Sequence, residues 1–287
     1  MSATIDYGVD LGTTNSSIAS ISGTGTEIIA NREGSLQTPS AVWIDKRGTL
    51  YVGRVAREHH VEDEENTAVE FKLHMGEEWK MRFSKSGREM SPEALSAEIL
   101  KSLRTDVHNF RRELLDSIVI TVPAAFDVPQ SMATNRAAEL AGFRQCLLLQ
   151  EPVAAALAYG FQSAGANGFQ LVYDFGGGTF DAAILGLKEG TISVVNHKGD
   201  NYLGGKNIDW DIVETLLVPF LKSQYALEDF DRSHREWRGA FAKLKAHAED
   251  AKIQVSRTRK PQEIFIENLC SDANGTEVEL LFTLTPE

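Results

Sequence analysis

Leu171-Val-Tyr-Asp-Phe-Gly-Gly-Gly-Thr-Phe-Asp-Ala-Ala-Ile-Leu185 decides how the rest of the chain is read. Its apolar start predicts a buried strand that ends at Asp174 and the triple glycine Gly176-Gly177-Gly178. A second apolar strand, Phe180 to Leu187, leaves at once. So tight a turn between two strands calls for residues that tolerate positive φ and put no side chain in the way. Glycines there let backbone amides come close to a phosphate. Asp174 and Asp181 flank the turn and suit a hydrated metal beside that phosphate. An ordinary glycine-rich hairpin fits the same residues, and on this stretch alone the two readings stand level.

The plan occurs twice. Ile5-Asp-Tyr-Gly-Val-Asp-Leu-Gly-Thr-Thr-Asn15 again runs from an apolar strand through Asp10 and Gly12 into small polar residues, then into a strand from Ser16 to Ile21. A further turn follows each copy, near Gly23-Thr24-Gly25 and near Glu189-Gly190. A third strand follows each turn, Glu27 to Ala30 and Thr191 to Val195. A repeat of strand, Asp-x-Gly turn, strand, turn, strand implies two related halves. Two such loops on facing halves would clamp a polyphosphate from both sides.

Composition narrows the class. The chain has 287 residues, 42% hydrophobic and 24% charged, which suits two packed domains and argues against disorder. A formal net charge of -12 argues against a nucleic-acid surface but leaves a nucleotide open, since amides, lysine and metal meet its charge locally. Cys146 and Cys270 have no metal-ligand spacing and fit a reduced, cytoplasmic protein. The start, Met1-Ser-Ala-Thr-Ile-Asp, reads as no signal peptide, and no apolar run is long enough to span a bilayer.

Along the chain, residues 34–91 read as a more polar subdomain inserted after the first meander. Within it, Ala41 to Ile44 and Leu50 to Val52 are short strands, Gly53 to His60 is a helix, and Val61 to Asn66 is a solvated charge run. Ser91-Pro92 opens a capped helix with Leu95, Ile99, Leu103, Phe110 and Leu114 on one face. Ser117 to Val122 and Cys146 to Leu149 read as buried strands, with a helix from Gln130 to Ala141 between them. Glu151-Pro152 opens another helix, to Phe161. After the second meander and Gly204-Gly205 come helices at Ile208 to Tyr225 and Ser233 to Val255. The second has a buried face that includes Trp237, Phe241, Leu244 and Ala248. A hairpin about Asn274-Gly275 closes the chain. The first meander is followed by helix, strand, helix, strand, helix; the second is not, so its half looks incomplete.

Asp10-Leu-Gly-Thr-Thr-Asn15, Asp174-Phe-Gly-Gly-Gly-Thr-Phe-Asp181, Gln150-Glu-Pro-Val-Ala-Ala-Ala-Leu-Ala-Tyr-Gly160 and Gly199-Asp-Asn-Tyr-Leu-Gly-Gly205 resemble the nucleotide-binding domain of heat shock protein 70 (DnaK-type) chaperones. The resemblance covers essentially the whole chain. It implies an α/β, two-lobed actin-like ATPase (ribonuclease H-like) fold of mixed sheets flanked by helices, with ATP or ADP and Mg²⁺ between the lobes. The expected lobes are 1–164, with core 1–33 and 92–164 and the insertion 34–91, and 165–287, with meander 165–203 and the insertion 204–287. The resemblance puts Asp10, Asp174 and Glu151 near the metal, largely through water. Gly12, Thr13, Thr14 and Asn15 become the first phosphate loop, and Gly176, Gly177, Gly178 and Thr179 the second. Lys72 becomes the lysine that meets the γ-phosphate and orients the attacking water, with Asp181 and Thr179 in the catalytic set. Gly204, Gly205, Glu249, Lys252 and Ser256 fall on the nucleotide side. Co-chaperones, an exchange factor and an unfolded client are implied through a domain outside this chain, and neither nucleic acid nor membrane is.

Each residue has a plainer reading. Lys72 alone is a surface lysine, Glu151 favours a helix N-terminus, and Glu249, Lys252 and Ser256 share a helix face. Together they are what phosphoryl transfer needs: charge neutralisation, a placed water and little covalent help. Three departures from the family pattern stand out. Ile253 takes the place of an arginine that packs on adenine, Ser131 takes that of a second arginine, and the later adenosine loop, linker and peptide-binding domain are missing. The leading expectation is a slow ATPase domain whose closure controls a partner domain in protein folding. The alternative is a nucleotide-binding or regulatory module with weak or no hydrolysis. A small-molecule kinase of the same superfamily is a third reading, weakened by the lack of a sugar-site aspartate.

Overall fold

The computed structural model describes residues 5–23, 25–160 and 167–287. Packing divides the chain into two compact units, Met1–Leu203 and Gly204–Glu287. The expected lobe boundary after residue 164 lies outside the described residues, as do Thr24 and Phe161.

In the first unit, β1 (Tyr7–Leu11) runs antiparallel to β2 (Asn15–Ser22), which pairs with β3 (Gly25–Ile28) and, at its start, with β4 (Thr38–Pro39). The inserted segment then builds a small sheet from β5 (Ala41–Ile44), β6 (Leu50–Val52) and β7 (Thr67–Val69), with α1 (Arg54–His59) beside it. A 3-10 turn, Phe71–His74, follows; it is entered through Glu70 at φ 56°, a left-handed value uncommon for a residue with a side chain. A short hairpin, β8 (Met81–Arg82) and β9 (Glu89–Met90), leads to the main helix. Val42, Ile44, Phe71 and Phe83 pack into the same core as β1, so the insertion is anchored by burial.

Helix α2 (Pro92–Arg111) starts as expected, with Ser91 Oγ accepting from the Ala94 amide at 3.3 Å. Leu95, Ile99 and Leu103 are buried, joined by Leu100 and Val107. Phe110 and Leu114 depart from expectation: they are 60% and 80% exposed. The helix ends at left-handed Arg112, so Leu114 is not on it, and a helix angle buries nothing unless another element stands opposite. β10 (Ser117–Val122) lies parallel to β1. Helix α3 (Val128–Leu140) crosses over to β11 (Gln145–Gln150), parallel to β10, and α4 (Glu151–Ala158) follows directly. The sheet order is β11-β10-β1-β2-β3. β11 is therefore an edge, and Leu147 is half exposed rather than buried as the apolar run suggested.

The second meander is β12 (Gly168–Phe175), β13 (Phe180–Lys188) and β14 (Thr191–Asp200), antiparallel throughout. It repeats β1-β2-β3, as the sequence repeat predicts. Ala183, Leu185 and Leu187 bury one face of β13. β12 is not the buried strand its composition suggested: Phe169, Leu171 and Tyr173 are 77%, 66% and 67% exposed. Where β10 continues the first sheet beyond β1, no strand continues the second beyond β12 among the described residues. The same face is open on the central strand too, since Ile184 of β13, paired with Leu171, is 42% exposed.

The second unit holds α5 (Gly205–Ile212), a π-turn Val213–Leu217, α6 (Val218–Gln224), α7 (Arg238–Thr258) and the hairpin β15 (Gln262–Ser271) with β16 (Glu277–Leu284). The π-turn sits just before Pro219, which has no amide to give the helical ladder. Its core joins Val213, Leu217 and Leu221 to Phe230, Phe241, Leu244 and Ala248, and to Ile264 and Leu280 of the hairpin. Trp237 is only half-buried against it. No helix among the described residues is long and apolar enough to cross a membrane.

Candidate functional site

Both glycine turns owe their shape to space rather than to handedness. None of Gly12, Gly176, Gly177 and Gly178 has the positive φ the sequence led one to expect. A Cβ on Gly12 would lie 2.1 Å from the Asn15 carbonyl oxygen, so only glycine fits. Ser40 ties down this first loop: its amide donates to Thr14 O at 2.8 Å and its hydroxyl to Gly12 O at 2.7 Å. Thr13 is buried there. The second loop closes through the Gly176 amide on Thr179 O at 2.9 Å. The two loops meet: a Cβ on Gly177 would stand 2.2 Å from Thr14 Oγ1 and 2.9 Å from Thr14 Cβ.

A buried lysine and four carboxylates gather in the same unit. Lys72, 7% exposed on its 3-10 turn, donates from Nζ to Glu151 Oε1 at 2.9 Å and stands over the Phe126 ring at 5.6 Å. Glu151 sits in the first turn of α4, where the helix dipole favours its charge. Asp10, at the end of β1, accepts from Thr121 Oγ1 at 3.3 Å. Asp174 and Asp181 lie directly opposite each other across β12 and β13, a like-charge cross-strand pair. Asp181 is buried, and its Oδ1 has no hydrogen-bond partner.

The carboxylates feel one another. Asp10 is held above its ordinary range by crowding protein atoms, with Lys72 pulling down and Glu151 pushing up, although its side chain stays solvent-accessible. Asp174 is raised by desolvation, then by Glu151 and Asp10; Asp181 by desolvation, then by Glu151 and Asp174. Each therefore holds its proton more tightly than a free carboxylate. No cluster of three or more His, Cys, Asp or Glu among the described residues is arranged to hold an ion directly. The donor set itself, acidic oxygens with the buried Asp181 Oδ1 unpartnered, is of the chemistry that suits a hydrated magnesium ion.

In the second unit, Gly204 caps α5, and its amide donates to Asn207 Oδ1 at 2.8 Å. Lys252 on α7 donates from Nζ to Gly205 O at 2.9 Å and pairs with Asp209 Oδ1 at 2.5 Å. Glu249 lies on the same helix, close enough to raise Asp209. Ser256 and Ile253 are exposed on α7. Sequence reasoning missed Ser40, Thr121, Phe126 and Asp209. Nothing local marks the first three, while Asp209 was legible only as an acid one turn into a helix.

A protein-family profile described as "Hsp70 protein" matches residues 6–285. The chain belongs to the Hsp70 family. Its counterpart there is the nucleotide-binding domain, with the actin-like ATPase fold. Relatives named "Chaperone protein DnaK" from Thermotoga petrophila, Thermotoga maritima and Thermotoga neapolitana are each 38% identical over 279 residues, 97% of this chain. This Hsp70 chain spans 45% of the length of those relatives.

Proposed function

We propose that the chain binds ATP with Mg²⁺ and hydrolyses it slowly to ADP and phosphate. The meeting of Gly177 with Thr14 carries this reading, because it sets two amide-lined turns side by side. Gly12 to Asn15 and Gly176 to Thr179 then hold the phosphate oxygens. Lys72 orients the attacking water and neutralises the γ-phosphate. Its ion pair with Glu151 holds that ammonium inside the protein. Asp10, Asp174 and Glu151 hold the waters of the ion, and Asp181, with its unpartnered oxygen, is the natural acceptor for one of them. When bound, the ion supplies charge neutralisation to the phosphates. Glu249, Lys252, Ser256, Gly204 and Gly205 are the nucleoside-side residues of this reading. Chaperone action follows if closure on ATP biases a partner domain that holds unfolded client, with co-chaperones and an exchange factor setting the cycle.

Asp10→Asn and Lys72→Ala test it through steady-state turnover of Mg·ATP by the full chain. Each is expected to lower kcat by at least about 10²-fold, the ordinary worth of a preorganised charge. Unchanged turnover in both sinks the assignment. Ile253, apolar and 48% exposed on α7, favours a second reading, a module that binds nucleotide weakly and barely turns it over. Calorimetric titration decides: tight binding with turnover removes it.

A further inference from the structure

Lys252 is the cation of α7 that the nucleoside reading claims, yet its side chain is already engaged. Its ammonium has three N–H donors. One goes to Gly205 O at 2.9 Å, the first residue of α5. The same Nζ stands 2.5 Å from Asp209 Oδ1, one turn further along the same helix, an ion pair by charge and distance in which that oxygen takes no hydrogen bond. Asp209 is 2% exposed, so this counter-ion is sealed inside the second unit and does not reach a ligand in solvent. Burial raises Asp209 and Lys252 works against that rise more than any other group, with Lys245 adding to it and Glu249 opposing it. The double glycine is held from its other end by Asn207, whose Oδ1 takes the Gly204 amide and whose own amide donates to Gly204 O at 2.9 Å. Glycine has no side chain with which to fix its own backbone, and two in succession are floppy unless something outside holds them.

We propose that Lys252 and Asp209 are positioning residues: a charge-paired latch from α7 that sets the backbone of Gly204-Gly205, instead of a cation offered to the nucleotide. Lys252 carries its charge to a backbone carbonyl, and Asp209 cancels that charge and keeps the stem in place. The nucleotide then meets a preset double-glycine turn and gains nothing from a net positive charge at position 252. This part rests on the proposed function, which places Gly204 and Gly205 beside the nucleotide; the latch itself does not.

The test has a nucleotide-free arm and a nucleotide arm, both on the full chain. Hydrogen exchange of the peptide spanning 203–208 is measured without nucleotide for Lys252→Met, Asp209→Asn, the double variant and Lys252→Arg. The latch predicts at least about tenfold faster exchange in both single variants. The double variant should exchange no faster than either single, and Lys252→Arg should keep most of the protection. In the nucleotide arm, Lys252→Met and Asp209→Asn should raise KM for ATP by similar factors and leave kcat within about twofold. A Lys252→Met that weakens ATP at least tenfold, with exchange at 203–208 unchanged and Asp209→Asn neutral, overturns the latch and makes Lys252 a direct ligand. Absence of ATP binding in the parent chain would sink the proposed function, while the exchange arm would still decide the latch. Should Asp209→Asn fail to fold, Lys252→Met against Lys252→Arg decides it alone.

Discussion

Gly177 shows how much can rest on a missing side chain. Its Cα leaves only the room that Thr14 fills, and the atoms an added methyl would meet include Thr14 Cβ, which sits too near its own backbone to swing away. Gly177→Ala is therefore expected to destabilise the chain by roughly 1–3 kcal/mol through overpacking. Thr14→Gly in the same chain should recover most of that loss, because it removes every atom in the way. Urea unfolding of the two variants checks this, and a neutral Gly177→Ala would mean that the loops do not touch. Lys72 makes the complementary point. The family resemblance marks it as a lysine for the γ-phosphate, but that Glu151, 79 residues away, takes its charge in a buried setting is not written near it in the sequence.

At the scale of elements, capping separates what a sequence spells out from what it only permits. Ser91-Pro92 announces α2, and Ser91 accepts the amide that its type predicts. α3 is better specified still. Asp127 Oδ1 takes the Gln130 amide at 2.9 Å while Gln130 Oε1 takes the Asp127 amide at 3.0 Å, a reciprocal box. Asp127→Ala should cost about 1 kcal/mol of unfolding free energy, and Asp127→Asn much less. Chemical denaturation of both variants reads the difference, and equal losses would show that the side-chain acceptor is not what matters. β12 is the contrary case. Its composition is that of an interior strand, yet it borders its sheet, and a strand's own residues carry no information on how many neighbours it has.

For the molecule as a whole, the acidic cluster around Glu151 sets how stability changes with pH. Asp10, Asp174 and Asp181 are all raised above the ordinary carboxylate range, by desolvation first and by the Glu151 charge next, with Asp10 adding to Asp174 and Asp174 to Asp181. The folded chain thus binds more protons than the unfolded one from about pH 4 upward, and stability falls as pH rises through the raised values. Asp63, Asp231 and Asp272 are lowered and act in the opposite sense, below about pH 4. Asp174→Asn should accordingly gain on the parent as pH rises from about 4.5 to 7, by up to about 1 kcal/mol for a group open to solvent. Thermal unfolding in chelator at several pH values measures it. A difference independent of pH would mean that these carboxylates do not share a field.

The sequence by itself determined the repeat, the glycine turns, the caps and the family, because each is written in residues adjacent along the chain or in motifs of fixed spacing. Backbone sterics and local hydrogen bonds act over a few residues, so they are legible there. Only the tertiary structure decided that Thr14 and Gly177 touch, that Ser40 and Thr121 serve the loops, that Lys72 lies against Glu151, and that Lys252 is occupied by Asp209 and Gly205. It also decided which apolar strands are buried. Charge pairing and burial depend on what folding brings opposite, and that partner is set by the path of the whole chain.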